Sequence, residues 1–225
     1  MLSTIADYTR LTTDMSKSLT QVEQQPDVSR DTAYYLANIG NVKSIDDFLN
    51  NYKLYSYAMK AFGLDDMIYA KAFMRKVLTE GIATSDTFAN KLSDSRYRDF
   101  AAAFNFAADG ANATQSTAAT TGTTSQYATQ TLEQDAGDQN EGLRLALYFT
   151  RKASSITSPY QILADKALTQ VVQTAMGWSS MISSSDIDMQ AKMITDKINL
   201  ADLKAFGQSD PWRLLKAAIT VADAP

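Results

Sequence analysis

"YAMKAFGLDDMIYAKAFMRKVLTEG", residues 57–81, is the stretch of sequence that decides the fold class. It is crowded with large apolar side chains, and it contains glycine only at Gly63 and Gly81. Its second half has a narrow polar stripe, formed by Lys71, Arg75 and Thr79. Apolar residues cover most of the remaining circumference, and a helix that is apolar over so wide an arc packs against several neighbours. The stretch therefore predicts the middle of a helical core.

The residues just before this stretch extend the helical pattern toward the N-terminus. Ser44 can cap a helix over residues 45–62, and Asp47 then lies in the first turn, where a carboxylate favours the helix dipole. Large apolar residues recur there at steps of three and four: Ile45, Phe48, Leu49, Tyr52, Tyr55, Met59 and Phe62. Gly63 ends this helix in a left-handed conformation, and a second helix is predicted to begin near Asp65 or Asp66 and to end at Gly81.

The rest of the chain carries the same helix signals. Further helices are predicted over residues 3–24, 28–39, 86–92, 96–109, 159–176 and 211–223. Pro159 and Pro211 each follow a capping residue and occupy the first helical position. No run of β-branched residues alternates with polar ones between turn signals, so no strand is predicted. The expected fold class is all-α.

The two halves of the sequence resemble each other. A shift of 114 residues (177 − 63) places Gly63 on Gly177 and Ser44 on Ser158 without a gap. Further along, a shift of 115 (213 − 98) places "RYRDFAAAF" on "PWRLLKAAI", with Tyr97 on Trp212. Identities are few, but helix caps, terminators and apolar positions agree. The sequence predicts a helical bundle built from two pseudo-repeated multi-helix units.

The predicted division of the chain follows from this repeat. Residues 1–110 are expected to form a first unit with an N-terminal helix, and residues 141–225 a second unit. Residues 111–140 are expected to connect them. Within the connector, residues 111–131 contain only Ala, Asn, Thr, Gln, Ser, Gly and Tyr, without a charge. Such a segment has little to bury and is expected to be a flexible linker.

The predicted core takes large apolar residues from both units. We expect these side chains to be buried: Phe48, Leu49, Tyr52, Met59, Phe62, Phe73, Met74, Val77, Phe100, Leu147, Ile162, Leu163, Val172 and Met176.

Composition excludes several classes of function. The net charge is −4, the sequence pI is about 4.9, and no lysine or arginine cluster occurs, so a nucleic-acid partner is not expected. The chain has no cysteine and no histidine, so thiol chemistry and the usual general base are missing. No apolar run approaches the ~20 residues of a membrane span, so membrane insertion is not expected. The first residues lack an apolar signal-peptide core, which argues against Sec-type export.

The acidic clusters have simpler explanations than metal binding or catalysis. Asp135, Asp138 and Glu141 do not follow the ligand spacing of an EF-hand, and a solvated helix entry is the better interpretation. Asp186 and Asp188 are best interpreted as an N-cap cluster. No glycine pattern for nucleotides and no nucleophile motif occurs. We therefore expect no catalytic residue, no cofactor and no metal site.

Several stretches resemble a family of unknown function in alphaproteobacteria. They include "YAMKAFGL", "YAKAFMRKVL" and "GLRLALYFTRKA", and the resemblance covers nearly the whole chain apart from the uncharged tract. Genes of that family commonly lie within flagellar gene clusters. The family has no established catalytic or ligand residues. The resemblance implies a flagellar context and a flagellar protein as partner, but no mechanism.

Three functions remain open. The first is a non-enzymatic, flagellum-associated structural or export-linked interaction protein. The second is a cytoplasmic helical chaperone or regulator of flagellar assembly, and secretion into the medium would distinguish the two. The third is an enzyme that uses carboxylates or a metal, for which a buried cluster of Asp and Glu from different helices would be the sign. The chain is thus expected in the cytoplasm or exported by a non-Sec route.

Four aromatic residues are the candidate protein contact. They lie at the predicted edges of the two units: Tyr97, Phe104, Trp178 and Trp212. Aromatic side chains are strong interface anchors, and a groove between the units could hold the helical end of a partner. The alternative is that these rings only close the core.

Overall fold

The computed structural model describes residues 4–179 and 185–204, and every regular element within these ranges is a helix. The all-α prediction is confirmed. The α-helices are α1 (Thr4–Thr13), α2 (Met15–Glu23), α3 (Pro26–Asn38), α4 (Ile45–Asn50), α5 (Tyr52–Ala61), α6 (Lys71–Glu80), α7 (Phe88–Lys91), α8 (Ser95–Ala103), α9 (Phe106–Asp109), α10 (Thr123–Gln139), α11 (Glu141–Ala153), α12 (Pro159–Ala164), α13 (Lys166–Met176), α14 (Ile187–Lys197) and α15 (Leu200–Lys204). Short 3₁₀-helices cover Ile39–Asn41, Asp65–Met67 and Gly110–Gln115, and a π-helix covers Ala118–Gly122.

The chain forms two compact units whose bounds differ from the predicted division. The central unit is Ser16–Leu132, and the terminal unit combines Met1–Met15 with Glu133–Pro225. The N-terminal helix α1 therefore belongs with the C-terminal half. Hydrogen bonds fasten α1 there: the Tyr8 and Thr150 hydroxyls lie 2.8 Å apart, and the Asn140 side-chain amide donates to the Thr4 hydroxyl at 2.8 Å.

Aromatic rings fill the core of the central unit. Phe48 lies 4.8 Å from Phe104 between ring centroids, and Phe100 lies 4.9 Å from Phe104. Phe62 closes one side of this group at 5.4 Å from Phe100. Because aromatic pairs of this kind favour offset and edge-on geometries, the group fixes α4, α5 and α8 against one another.

The uncharged segment 111–131 is not a flexible linker, so this prediction is wrong. It forms the 3₁₀-helix, the π-helix and the first half of α10, and it packs within the central unit. Tyr35 donates a hydrogen bond to the carbonyl of Ala119 at 2.6 Å, and Thr114 donates to the carbonyl of Val42 at 2.9 Å. Small side chains let the backbone approach the core closely, and the Thr hydroxyls find backbone acceptors there. The absence of large apolar residues therefore did not mean an absence of burial.

Aliphatic and aromatic residues from several helices form the core of the terminal unit. Leu147 and Phe149 of α11 are buried, as are Leu168 and Val172 of α13. Trp178 and Met176 pack against this cluster and are partly buried. The helix pair α11 and α13 is thus the centre of this unit.

Three predicted helices are each broken at one residue, Asp14, Asn51 or Asp165, and the last two residues are caps. Asn51 ends α4 and caps α5, accepting a hydrogen bond from the Leu54 amide at 3.3 Å. Asp165 separates α12 from α13 in the same way and accepts from the amides of Ala167 and Leu168. The break resets the helical phase, so Tyr52 is 65% exposed although its spacing predicted burial.

The other core predictions are confirmed in whole or in part. The buried ones are Phe48, Leu49, Met59, Met74, Val77, Phe100, Leu147, Ile162 and Val172. The partly buried ones are Phe62, Phe73, Leu163 and Met176.

Some predicted helix starts are displaced. Asp65 and Asp66 open a 3₁₀-turn, and α6 begins only at Lys71. Asp94, rather than Ser95, caps α8. Arg96 explains this cap, because its guanidinium holds the Asp94 carboxylate at 2.7 Å and also donates to the carbonyl of Gly63.

The element bounds agree with the predicted repeat. A shift of 114 residues turns Ile45–Asn50 into residues 159–164, which are the bounds of α12. It also places the cap Asn51 on the cap Asp165. Gly63 and Gly177, related by the same shift, both have positive φ, at 67° and 63°. Whether the two units superpose in three dimensions stays a prediction.

Candidate functional site

The four candidate contact residues are divided between the two units, and one of them lies outside the described residues. Phe104 is fully buried in the aromatic core of the central unit, so its prediction as a direct partner contact is wrong. Tyr97 is 9% exposed and belongs to the same unit. Trp178 is partly buried and belongs to the terminal unit, and Trp212 lies outside the described residues. A shared groove stays a prediction.

Tyr97 nevertheless lies at an aromatic surface of the central unit. We call Tyr69, Phe73, Phe88 and Tyr97 the aromatic surface. Phe73 stands in T-shaped contact with both Phe88 and Tyr97, at 5.0 Å each. Phe73 and Phe88 are only partly buried, and Tyr69 is 82% exposed. Edge-to-face packing fixes the rings of Phe73, Phe88 and Tyr97. Tyr69 is the most exposed of the four side chains.

Charged groups lie beside and over parts of this surface. The Lys76 ammonium lies 4.4 Å from the Phe88 ring centroid, a cation–π distance. Burial raises the pKa of the Tyr97 hydroxyl above its ordinary value, and the nearby Asp94 carboxylate adds to the rise. Tyr97 is therefore a neutral, largely apolar group at physiological pH. The surface suits contact with another apolar side chain rather than acid–base chemistry.

A second feature is a buried polar cluster in the terminal unit. Arg151 donates to both carboxylate oxygens of Glu133, at 2.6 Å and 2.8 Å, and the Glu133 side chain is only 5% exposed. The guanidinium also lies 5.0 Å from the Tyr148 ring centroid. Tyr148 donates a short hydrogen bond to Asp165, which is 9% exposed. The cluster joins α10, α11 and the junction of α12 and α13.

The electrostatics of the polar cluster keep the Arg151 guanidinium charged. Burial is the largest influence on Arg151 and lowers its pKa, but the hydrogen bonds and charge of Glu133 outweigh burial. The pKa of the guanidinium is consequently raised, and Arg151 stays charged. One oxygen of Asp165 accepts from Tyr148, and the other accepts from the amides of Ala167 and Leu168 at 2.9 Å and 3.1 Å.

The sequence analysis did not identify this cluster. Glu133 lies in "LEQDAGDQNEG", which reads as a solvated approach to a helix, and Asp165 interrupts an otherwise good helical pattern. The usable signal was Asp165 itself, because an Asp three residues before an apolar run is a capping residue. No local signal pairs Glu133 with Arg151, since 18 residues separate them.

Three of the acidic groups considered for metal binding, Asp186, Asp188 and Glu141, have local roles. Asp186 caps α14 and accepts from the amide of Asp188 at 2.9 Å, which confirms the N-cap interpretation. Asp188 accepts from the Tyr160 hydroxyl at 2.7 Å. Glu141 pairs with Arg144, and this pairing lowers the pKa of the carboxyl. Within residues 4–179 and 185–204, no three acidic side chains come together as a metal site would require.

Comparisons with known proteins identify relatives but no activity. The sequence profile of a family described as "Protein of unknown function (DUF1217)" matches residues 61–207. Among solved structures, the X-ray crystal structure of protein AGR_C_984 from Agrobacterium tumefaciens is similar, with a TM-score of 0.88 and 49% sequence identity. The similarity covers 97% of this chain and 92% of that one. No curated protein matches the chain. None of the described helices is long and apolar enough to cross a bilayer.

Proposed function

Because the chain belongs to the DUF1217 family of proteins of unknown function, its role has to be inferred from its own surfaces, and we propose that it is a non-enzymatic, flagellum-associated structural or export-linked interaction protein. The aromatic surface of the central unit carries this proposal. Tyr69 is 82% exposed and lies near enough to Tyr97 to raise the pKa of the Tyr97 hydroxyl slightly, after burial and Asp94. Tyr97 and Phe88 both pack on Phe73. Exposed aromatic side chains on a rigid base are typical anchors of protein interfaces.

The buried carboxylates support an interaction role over an enzymatic one. Glu133 and Asp165 come from different helical elements and meet in one cluster, which is the arrangement expected of a carboxylate enzyme. However, both oxygens of Glu133 are held by Arg151, and both oxygens of Asp165 accept hydrogen bonds within the chain. A metal or a substrate would have to displace these partners. The cluster is better explained as an internal clamp between helices.

The flagellar context rests on the resemblance of "YAMKAFGL", "YAKAFMRKVL" and "GLRLALYFTRKA" to a family whose genes commonly lie within flagellar gene clusters. A cytoplasmic chaperone or regulator of flagellar assembly is the second candidate. The acidic net charge of −4 and an all-helical fold suit it equally.

The test begins with deletion of the gene, scored by swimming and by filament assembly. The tagged wild-type chain is then used for affinity capture from separate cell and medium fractions. We expect impaired swimming and capture of a hook, rod or filament component from outside the cell. Capture of flagellar proteins from the cytoplasm alone would instead establish the chaperone or regulator. Normal swimming with no flagellar protein in either fraction would exclude both flagellar functions.

A matched pair of variants tests the aromatic surface itself. Tyr69→Ala removes the exposed anchor, and an anchor of this kind contributes ~2 kcal/mol or more, so capture should weaken roughly 30-fold. Tyr52→Ala is the control, since Tyr52 is also an exposed tyrosine of the central unit, at 65%, but begins α5. Equal capture by the two variants would show that the aromatic surface is not the contact.

A further inference from the structure

A second apolar patch lies on the terminal unit. Tyr160 of α12 is 41% exposed, and Ile187 and Met189 of α14 are 56% and 59% exposed. The two helices pack together, and Tyr160 donates a hydrogen bond to Asp188 at 2.7 Å. We call Tyr160, Ile187 and Met189 the α12–α14 patch. Large apolar side chains exposed on two packed helices make this part of α12 and α14 a candidate interaction surface.

The predicted repeat assigns a corresponding place in the central unit to this patch. Subtracting 114 from Tyr160 and Met189 gives Asp46 and Arg75, which form an ion pair at 2.5 Å between α4 and α6. Under the predicted repeat, the packed helix pair α12–α14 corresponds to the packed pair α4–α6. In the terminal unit, apolar side chains have replaced the charged pair.

Ile187 corresponds to Phe73 by the same subtraction (187 − 114). In the central unit, Phe73 does not face solvent freely, because the ring of Tyr97 covers it at 5.0 Å in a T-shaped contact. Tyr97 lies in α8, and its counterpart at the shift of 115 is Trp212 (97 + 115). Trp212 lies outside the described residues, as does all of 205–225.

We propose that the α12–α14 patch is the docking surface for the chain's own residues 211–223, with Trp212 on Ile187 as Tyr97 is on Phe73. The proposal rests on the repeat and is independent of the flagellar function. The 21 residues after Lys204 (225 − 204) include the occupant and its connection. The six residues 205–210 can span ~20 Å when extended, which leaves the segment free to reach the neighbouring helix.

The sequence of this segment complements the patch. Pro211 follows Asp210, a helix-start signal, and apolar residues recur at Trp212, Leu215 and Ile219. Its Arg213 and Lys216 carry positive charge, while exposed Asp186 and Asp188 flank Ile187. Docking buries apolar area on both sides and brings opposite charges together. The patch is then closed to other proteins for as long as the segment occupies it.

Tryptophan fluorescence tests this directly, because Trp178 and Trp212 are the two tryptophans of the chain. In the full-length Trp178→Phe variant, Trp212 is the only indole. We expect its emission to be shifted to the blue and to be poorly quenched by acrylamide. Adding Ile187→Gln should shift the emission to the red and raise quenching several-fold. Leu36→Gln is the matched control, because Leu36 is a 43% exposed aliphatic residue of α3 in the central unit. It should change neither the emission wavelength of Trp212 nor its quenching by acrylamide.

Three results would overturn the proposal. The first is Trp212 emission and quenching typical of a solvated indole in the Trp178→Phe chain. The second is an equal response to Ile187→Gln and Leu36→Gln. The third is loss of the blue-shifted emission on dilution together with a dimer in solution, which would assign the segment to a second copy. Since Ile187→Gln could destabilise α14, a double-mutant cycle of Ile187→Gln with Trp212→Ala by thermal melting gives an independent answer: coupled effects support contact, and additive effects refute it.

Discussion

The ion pair of Glu133 and Arg151 lies within the terminal unit and gives the first prediction at the residue scale. Glu133 is 5% exposed, so the removal of its partner leaves a carboxylate buried without its cation. Arg151→Met should therefore lower the free energy of unfolding by roughly 3–5 kcal/mol, as for other broken buried pairs. Urea unfolding of the wild type and of Arg151→Met measures this loss of stability.

The exposed pair of Arg10 and Asp7 is the control for this prediction. The Arg10 side chain is 64% exposed, and exposed pairs contribute ~0–1 kcal/mol, so Arg10→Met should have little effect. The double variant Glu133→Gln with Arg151→Met should recover part of the loss, because no buried charge remains. Similar small losses from both single arginine variants would contradict the assignment of a buried pair.

Tyr55 gives a second prediction at the residue scale. Its ring is fully buried, and its hydroxyl has no hydrogen-bond partner among the described residues. Burial raises the pKa of Tyr55 from 10.0 to about 12. The folded state thus holds this proton more tightly than the unfolded state. The resulting stabilisation is complete below pH 10 and is lost as the pH rises toward 12.

Tyr55→Phe removes both the unpaired hydroxyl and the ionisable group. We expect a gain of ~1 kcal/mol at neutral pH, because an unsatisfied buried polar group is costly, and a shallower loss of stability above pH 10. Thermal melting across this pH range measures both. Tyr57→Phe is the contrast: Tyr57 shares a 2.8 Å hydrogen bond with Thr32, so its loss should cost ~0.5–1.5 kcal/mol. A destabilised Tyr55→Phe would show that the hydroxyl has a partner.

Helix breaks are the main feature at the scale of elements. Asn51 and Asp165 each end one helix and cap the next. Asp165→Ala removes the cap of α13, which costs ~0.5–2 kcal/mol, and leaves the buried Tyr148 hydroxyl without its acceptor, which costs ~1–3 kcal/mol more. Asp165→Asn keeps a side-chain oxygen for the cap, as Asn51 does in α5, and should lose less. Chemical unfolding compares the two, and equal losses would contradict the capping role.

Sequence periodicity predicted the helices but not these breaks. The apolar spacing of 45–62 runs across Asn51 without interruption, so a single helix with Tyr52 inside was the natural prediction. A one-residue cap changes the phase of everything that follows it, and periodicity alone does not register such a change. The glycines that end helices were easier to predict from the sequence, because glycine adopts a positive φ with almost no strain. Gly63, Gly81 and Gly177 all have a positive φ.

At the scale of the whole molecule, the fold class could be predicted because helix signals are local, whereas the division into units could not. The assignment of α1 to the terminal unit depends on contacts between Tyr8 and Thr150, which lie 142 residues apart. The same reason limited the candidate site. Tyr97 could be chosen from its aromatic character, but the contact with Phe73 and the full burial of Phe104 are matters of tertiary packing.

The segment 111–131 gives the last prediction, because linker and core behave differently in hydrogen exchange. Thr114, Ala119 and Thr123 are at most 1% exposed, and Tyr127 stacks on Tyr57 with ring centroids 3.9 Å apart. Amides of residues 123–132 should therefore exchange as slowly as those of α5, which carries Tyr57 of this stacked pair. Hydrogen exchange of the full-length chain followed by mass spectrometry measures both peptides in one experiment. The exposed end of α9 and Gly110, residues 107–110, provide a fast-exchanging reference within the same unit. Exchange of 123–132 as fast as that reference would restore the linker interpretation and would remove the segment from the central unit.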